Sequence, residues 1–217
     1  MTDVDVEMAD YYERRAPHYD AVYARPERQA DIRTLQHLIP AALAGRDVLE
    51  IAAGTGYWTQ FVSATANTVV ATDYNPAPLA IAAAREYPKA NVRFGRADAF
   101  ALDRVAGDFT AAFAGFWWSH LRRSDTDRFL SGVCARLRPG STVVIVDNRY
   151  VEGSSQPVTR TDEAGNTFQR RQLPDGTATE ILKNFPTATQ LREATRGHGS
   201  DPDIVELEYY WLLTFTI

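Results

Sequence analysis

The segment Val48-Leu49-Glu50-Ile51-Ala52-Ala53-Gly54-Thr55-Gly56-Tyr57-Trp58-Thr59 constrains the fold of this chain more than any other. An apolar β-type run meets an acid, passes through a glycine-bearing turn and opens a helix. Glycine lets backbone approach a ligand closely, and open α/β sheets bind ligands beyond the carboxyl ends of their strands. Glu50 stands where a dinucleotide's pyrophosphate would lie. A carboxylate there repels phosphate and suits a ligand carrying positive charge and hydroxyls.

Two further runs repeat the pattern. Thr68-Val69-Val70-Ala71-Thr72 ends at Asp73, and Val92-Arg93-Phe94-Gly95-Arg96-Ala97 ends at Asp98, followed by Ala99. Three successive strand ends thus present an acid to one side of a sheet. Between them, Trp58, Phe61 and Val62 mark a short helix, and Asn75-Pro76 starts another that runs through Leu79 and Ile81 towards Tyr87. Phe109 to Gly115 reads as a fourth strand, and Thr142 to Val146, ending at Asp147, as a fifth. The intervening helix carries Phe129, Val133 and Leu137 on one face, with Ser124 to Asp127 as a capping box and Pro139-Gly140 as its stop. This alternation predicts a Rossmann-like, doubly wound α/β fold with a mostly parallel sheet flanked by helices.

From about Val48 to Asp147 the chain resembles the class I S-adenosylmethionine-dependent methyltransferases. Their first motif looks like Glu50 to Gly56 here, with Ala52 where the first glycine usually stands. The resemblance implies S-adenosylmethionine as cofactor, Asp73 on its ribose hydroxyls, and Asp98 with the amide of Ala99 at its adenine. It extends the expected cofactor contacts to Glu50, Ala52, Gly54, Gly56, Trp58, Tyr74, Phe116 and Tyr19, the last from a tyrosine-dense segment, Tyr11 to Asp20, that covers the cofactor in relatives.

The sequence holds 217 residues, enough for one well-packed α/β domain. We expect a helical N-terminal cover (1–45), a cofactor-binding core (46–147), a lid or substrate-contacting insertion (148–184), and a C-terminal helix and strand (185–217). Ile32, Leu35, Leu38 and Ile39 form the apolar face of the cover. Pro174-Asp175-Gly176 reads as a turn between two strands, Pro186-Thr187 as a helix start, and Ile204 to Phe215 as one terminal strand. The acidic N-terminus, Met1 to Asp5, lacks signal-peptide character, and the lone Cys134 fits a reducing compartment, so a cytoplasmic setting is expected. A net charge of −5 argues against nucleic acid, no apolar run reaches membrane-spanning length, and a monomer or homodimer acting on a small molecule is expected.

Methyl transfer needs mainly alignment and exclusion of water, so a catalytic triad is not required. Phe116-Trp117-Trp118-Ser119-His120 falls where relatives place substrate-facing residues. Trp117 and Trp118 serve either pocket or core. His120 is the first candidate for a general base, because an imidazole titrates near neutrality; His18 is a lesser one. Asp147 and Arg149 are candidate substrate contacts. Of the arginines at 122–123, 149 and 170–171, any two that converge on the pocket mouth would suit a carboxylate- or phosphate-bearing substrate. No metal-ligand cluster is evident. Two other readings stand beside methyl transfer: a cofactor-binding protein without transferase activity, and a nicotinamide oxidoreductase. The second is disfavoured by Thr59 at the third position of the dinucleotide fingerprint.

Overall fold

A computed structural model of the chain describes residues 3–173 and 175–217, so Met1, Thr2 and the Pro174 of the expected turn lie outside the described residues. In chain order the elements are α1 (Asp3–Arg15), α2 (Gln29–Ala42), β1 (Asp47–Ile51), α3 (Thr59–Thr65), β2 (Thr68–Asp73), α4 (Pro76–Ala83), β3 (Val92–Arg96), β4 (Phe109–Gly115), α5 (Thr126–Cys134) and β5 (Leu137–Asn148). After these come β6 (Arg160–Thr161), β7 (Thr167–Gln172), β8 (Ala178–Leu182), α6 (Ala188–Thr195), β9 (Ser200–Glu206) and β10 (Tyr210–Thr216).

The main sheet has seven strands in the order β3-β2-β1-β4-β5-β10-β9. Strands β1 to β5 pair in parallel, and β10 runs antiparallel to both β5 and β9. The strand order reverses between β1 and β4, which opens a crevice at their carboxyl ends. Strict alternation fills both faces. Val48, Val69, Ala111 and Val144 pack with Ile32, Leu35 and Ile39 of α2 and Val62 of α3. Their neighbours Leu49, Val70, Ala112 and Val143 pack with Phe129, Leu130 and Val133 of α5 and Leu191 of α6. Near-continuous apolar strands are what a sheet covered on both faces demands.

Residues 148–184 form their own three-stranded antiparallel sheet, β6-β7-β8. Helix α1 packs on it, with Met8 and Tyr11 against Phe168, Leu173, Ile181 and Leu182. This assembly sits on the segment that follows β4: the Asn184 amide donates to the Ser119 carbonyl at 2.7 Å, and Asn184 Nδ2 to the Leu121 carbonyl at 2.8 Å. The insertion and the N-terminal helix therefore share one small core above the carboxyl ends of the strands.

Several local expectations are corrected. Asn75 does not cap α4 with its side chain, which donates to the Ala9 carbonyl at 3.0 Å. Glu13 of α1 replaces it, accepting the Ala77 N–H at 3.1 and 3.2 Å and setting a negative charge at a helix N-terminus. No capping box forms at 124–127, because Asp125 is already helical and ends a short 3-10 turn. Leu137 and Pro139-Gly140 belong to β5: residues 137–142 of β5 face only 109–111 of β4, and this bulge accommodates a proline that a regular ladder would reject. The terminal strand is two, β9 and β10, joined by Leu207-Glu208-Tyr209, with the Leu207 amide donating to Tyr210 O at 2.8 Å. That turn lacks glycine, asparagine and proline, so nothing in its composition signals it. A capping box does form at α6, between Thr187 and Gln190.

Candidate functional site

The crevice at the strand ends is a cleft of about 540 Å³. Its floor is the turn after β1. Ala53 donates its amide to the Thr72 carbonyl at 2.9 Å, and Gly54 to Asp73 Oδ2 at 2.8 Å. Asp73 Oδ1 accepts the Asn75 amide at 2.9 Å. One carboxylate thus ties the turn to the end of β2. Burial pushes its pKa above the usual carboxylate value, and these N–H bonds oppose the rise. Gly54 and Gly56 have φ of +58° and +75°, conformations that favour glycine, and a Cβ on Gly56 would strike the Tyr87 hydroxyl. Ala52 holds φ +55° without being glycine, so the substitution noted in the motif is accommodated as backbone strain, not as a closed pocket.

Ala52, Gly54, Asp73, Tyr74, Asp98, Ala99, Phe116, Tyr19, Trp117 and His120 all line this cleft. Asp98 Oδ1 accepts the Phe100 amide at 2.8 Å, and the residue is solvent-exposed at the end of β3. Phe100 meets Trp117 edge to face at 6.5 Å and carries the Arg128 guanidinium 4.6 Å from its ring, which builds an aromatic wall beside Asp98. Phe116 has φ +61°, a rare state for a bulky residue, and it turns the chain out of β4 into the 3-10 turn Trp118–His120.

The other expected residues lie off the wall. Glu50 is 1% exposed beneath the turn, with Oε2 unpartnered, and burial pushes its carboxyl up to about 8. The expected charge contact is therefore replaced by a buried acid behind the motif. Gly56 packs against Ala82 of α4. Trp58 stacks on Phe116 and meets Tyr23 edge to face in the core. Trp118 is buried against Trp211 at 5.9 Å, so the adjacent tryptophans divide, one to the cleft and one to the core. Arg149 turns to the β9–β10 hairpin, bonding the Leu207 carbonyl and lying 3.7 Å from Glu206.

Asp147 is fully buried and serves the turn after β4. It accepts the Ser119 amide at 2.8 Å and its hydroxyl at 2.9 Å, and Lys183 Nζ lies 3.4 Å away. Burial alone would raise Asp147, but Lys183 and the neighbouring donors outweigh it and hold the carboxyl below its ordinary value.

His120 lies at the roof of the cleft. Its Nδ1 is 2.8 Å from the Leu182 carbonyl, which can only accept, so Nδ1 carries the hydrogen and Nε2 is the acceptor. The Tyr12 hydroxyl donates to that nitrogen at 2.9 Å. Burial, joined by the Lys183 charge, pushes the imidazole down to about 3, so it is neutral at physiological pH. Tyr12 also lines the cleft with Met8, one helical turn away on α1. This i, i+4 stripe was present in the sequence, although Tyr19 appeared the stronger candidate. Asp20 fastens the same N-terminal segment to the motif: it accepts from the Thr55 hydroxyl and from Arg85 at 2.6 Å.

Residues 48–140 match the family model of a methyltransferase domain. A probable S-adenosylmethionine-dependent methyltransferase from Mycolicibacterium smegmatis is 32% identical over 168 residues, covering 76% of this chain; the chain spans 60% of that relative's length. Two solved structures share 28% identity with this chain. A DhpI–SAH complex has a TM-score of 0.78, covering 97% of this chain and 95% of that one. A DhpI–SAM–HEP complex has a TM-score of 0.80, covering 99% and 98%.

Proposed function

Because the chain belongs to the class I S-adenosylmethionine-dependent methyltransferase family, we propose that it transfers a methyl group from that cofactor to a small-molecule acceptor. S-adenosylhomocysteine would be the co-product. The observation that carries the reading is the single cleft into which the turn after β1, Asp73, Asp98 and Ala99 all open. The residues fit the group: Gly54 leaves open space where a Cβ would sit, and two carboxylates at strand ends can accept hydroxyl and amino hydrogens. Asp73 would hold the ribose, and Asp98 with Ala99 the adenine. Bound, the cofactor supplies a methyl carbon activated by its sulfonium. Family membership sets the nicotinamide alternative aside.

The chain's own residues position and enclose. Tyr12, Tyr19, Phe116 and Trp117 form an aromatic surround that excludes water. His120 holds the Tyr12 hydroxyl in one orientation. Its low basicity makes it a positioning residue here, not a strong proton acceptor. Alignment of this kind supplies roughly 7–11 kcal/mol in favourable model systems.

No helix among the described residues is long and apolar enough to cross a membrane. A cytoplasmic enzyme, monomeric or homodimeric and indifferent to nucleic acid, completes the proposal; its supports are the free Cys134 and the net charge of −5. Calorimetric titration with S-adenosylhomocysteine, followed by turnover on a panel of small acceptors, tests it. No binding sinks the reading, and binding with no turnover on any acceptor favours a cofactor-binding protein without transferase activity.

A further inference from the structure

A chamber of about 90 Å³ adjoins the cleft, and Tyr12, Tyr19 and Phe116 wall both. Its remaining walls bring together Arg15, Arg25, Arg28, Arg171 and Lys183, with no carboxylate among the described residues that line it. Such a concentration is unexpected in a chain of net charge −5. The cations come from distant places: Arg15 ends α1, Arg25 and Arg28 precede α2, Arg171 lies on β7, and Lys183 follows β8.

Neutral groups fix their positions. Arg25 Nη1 donates to the Ser154 carbonyl at 3.1 Å and Arg28 Nη2 to the Ser154 hydroxyl at 3.0 Å. Arg171 Nη2 donates to Gln169 Oε1 at 2.7 Å. Arg15 donates to the Tyr11 hydroxyl at 3.1 Å and stands 5.4 Å over the Tyr19 ring. Among the described residues, two of the five cations are balanced: Lys183 by Asp147 at 3.4 Å, and Arg25 by Glu27 at 3.9 Å. Among the described residues, Arg15, Arg28 and Arg171 have no acidic partner.

Arg28 is only 8% exposed, and the Nε atoms of Arg28 and Arg171 are buried without any hydrogen-bond acceptor. Burying guanidiniums together without counter-charge is unfavourable unless a ligand restores the balance. Burial lowers the Arg171 value, and the charges of Arg15 and Arg25 act in the same direction.

We propose that this chamber binds a doubly negative oxyanion group of the acceptor, of phosphate or phosphonate type, through Arg15, Arg28 and Arg171. The planar fork of arginine matches such oxygens two at a time, and three unbalanced cations suit a dianion better than a single carboxylate. The assignment rests on the methyl-transfer reading, because the shared wall of Tyr12, Tyr19 and Phe116 would place the rest of the acceptor beside the donor cleft. Acceptor selection thus falls to residues outside the donor motif.

Calorimetry at pH 8 with inorganic phosphate, with acetate, and separately with S-adenosylhomocysteine tests the proposal. Phosphate should bind the wild type, acetate should bind at least about ten-fold more weakly, and Arg171→Gln should weaken phosphate by about ten-fold or more. The same variant should leave S-adenosylhomocysteine affinity nearly unchanged. Arg28→Lys, which keeps its charge but loses the planar fork, gives a second reading should Arg171→Gln fold poorly. Absence of phosphate binding, indifference to both substitutions, or acetate binding as tightly as phosphate each overturns the assignment. Failure of S-adenosylhomocysteine to bind is a separate result that overturns the methyl-transfer reading and, with it, the acceptor role of the chamber.

Discussion

The Tyr12 hydroxyl and His120 Nε2 meet at 2.9 Å across a sequence separation of 108 residues. This one bond joins the N-terminal helix to the turn after β4 at the roof of the cleft. With Nδ1 committed to Leu182, the imidazole has a single tautomer, and Tyr12 is held with its ring edge-on to His120 at 5.1 Å.

Tyr12→Phe leaves Nε2 buried without a donor, which costs about 1–3 kcal/mol. Turnover should fall by about ten-fold or more, with little change in S-adenosylhomocysteine affinity, because the donor motif is untouched. Parallel calorimetry and initial-rate measurements separate the two; equal losses in both would show that Tyr12 supports the cofactor instead.

Glu50 gives a pH signature of defined sign. Its carboxyl is raised from 4.5 to about 8 in the folded chain, so it costs nothing while both states are protonated. Stability should then decline as pH rises from about 4.5 through 8, by an amount on the order of a few kcal/mol. Glu50→Gln should flatten that decline, so its melting temperature should gain on wild type between pH 5 and 8.5. Parallel melting curves for the two proteins would refute the buried, protonated acid.

Asp73→Asn replaces an oxygen that accepts the Gly54 or Asn75 amide with an NH₂ that cannot. A lost charge-assisted bond is worth about 1.5–3 kcal/mol, and the turn it fixes is part of the cleft. Both the melting temperature and S-adenosylhomocysteine affinity should drop, the latter by about ten-fold or more. A variant that melts lower and binds equally well would confine Asp73 to a structural role.

Ala52→Gly relieves the strain of an alanine at φ +55°. A left-handed conformation costs a residue with a Cβ roughly 1–2 kcal/mol, against about 0.4–1 kcal/mol of added chain entropy for glycine. The net should be a small gain in melting temperature with donor affinity retained. A loss of stability would show that the alanine methyl contributes packing that outweighs its strain.

The walls of the cleft at the strand ends are legible because their code is local. Acids at the ends of consecutive strands and glycines in one turn need only the chain between residues 48 and 99, and the strand alternation that carries them survives intact. Glu50 was legible as a motif residue, but its burial was not. Whether an acid at a strand end faces the crevice or the layer beneath depends on side-chain direction within the pleat, and one residue of difference reverses it. The basic chamber is only partly legible: Arg171 stands among the arginines the sequence offers for an anionic substrate, but Arg15 and Arg28 do not. Arg15, Arg28 and Arg171 are separated by long stretches of chain, and only tertiary packing brings them together. Arg149 and Arg170 looked equally suitable in the sequence, yet the first serves a hairpin and the second is exposed. The turn at 207–209 and the bulge at Pro139-Gly140 were missed because sheet pairing, not local composition, makes them.

The roof over the cleft has two unequal fastenings. Its sheet half hangs from the main sheet through the Asn184 amide to Ser119 and through the Asn184 side chain to Leu121. Its helical half is held largely by side chains: Tyr12 on His120, Glu13 on the first turn of α4, and Asn75 on Ala9. Because α1 and the inserted sheet share one buried core, strain on either fastening is passed to the other, and the roof answers as a unit.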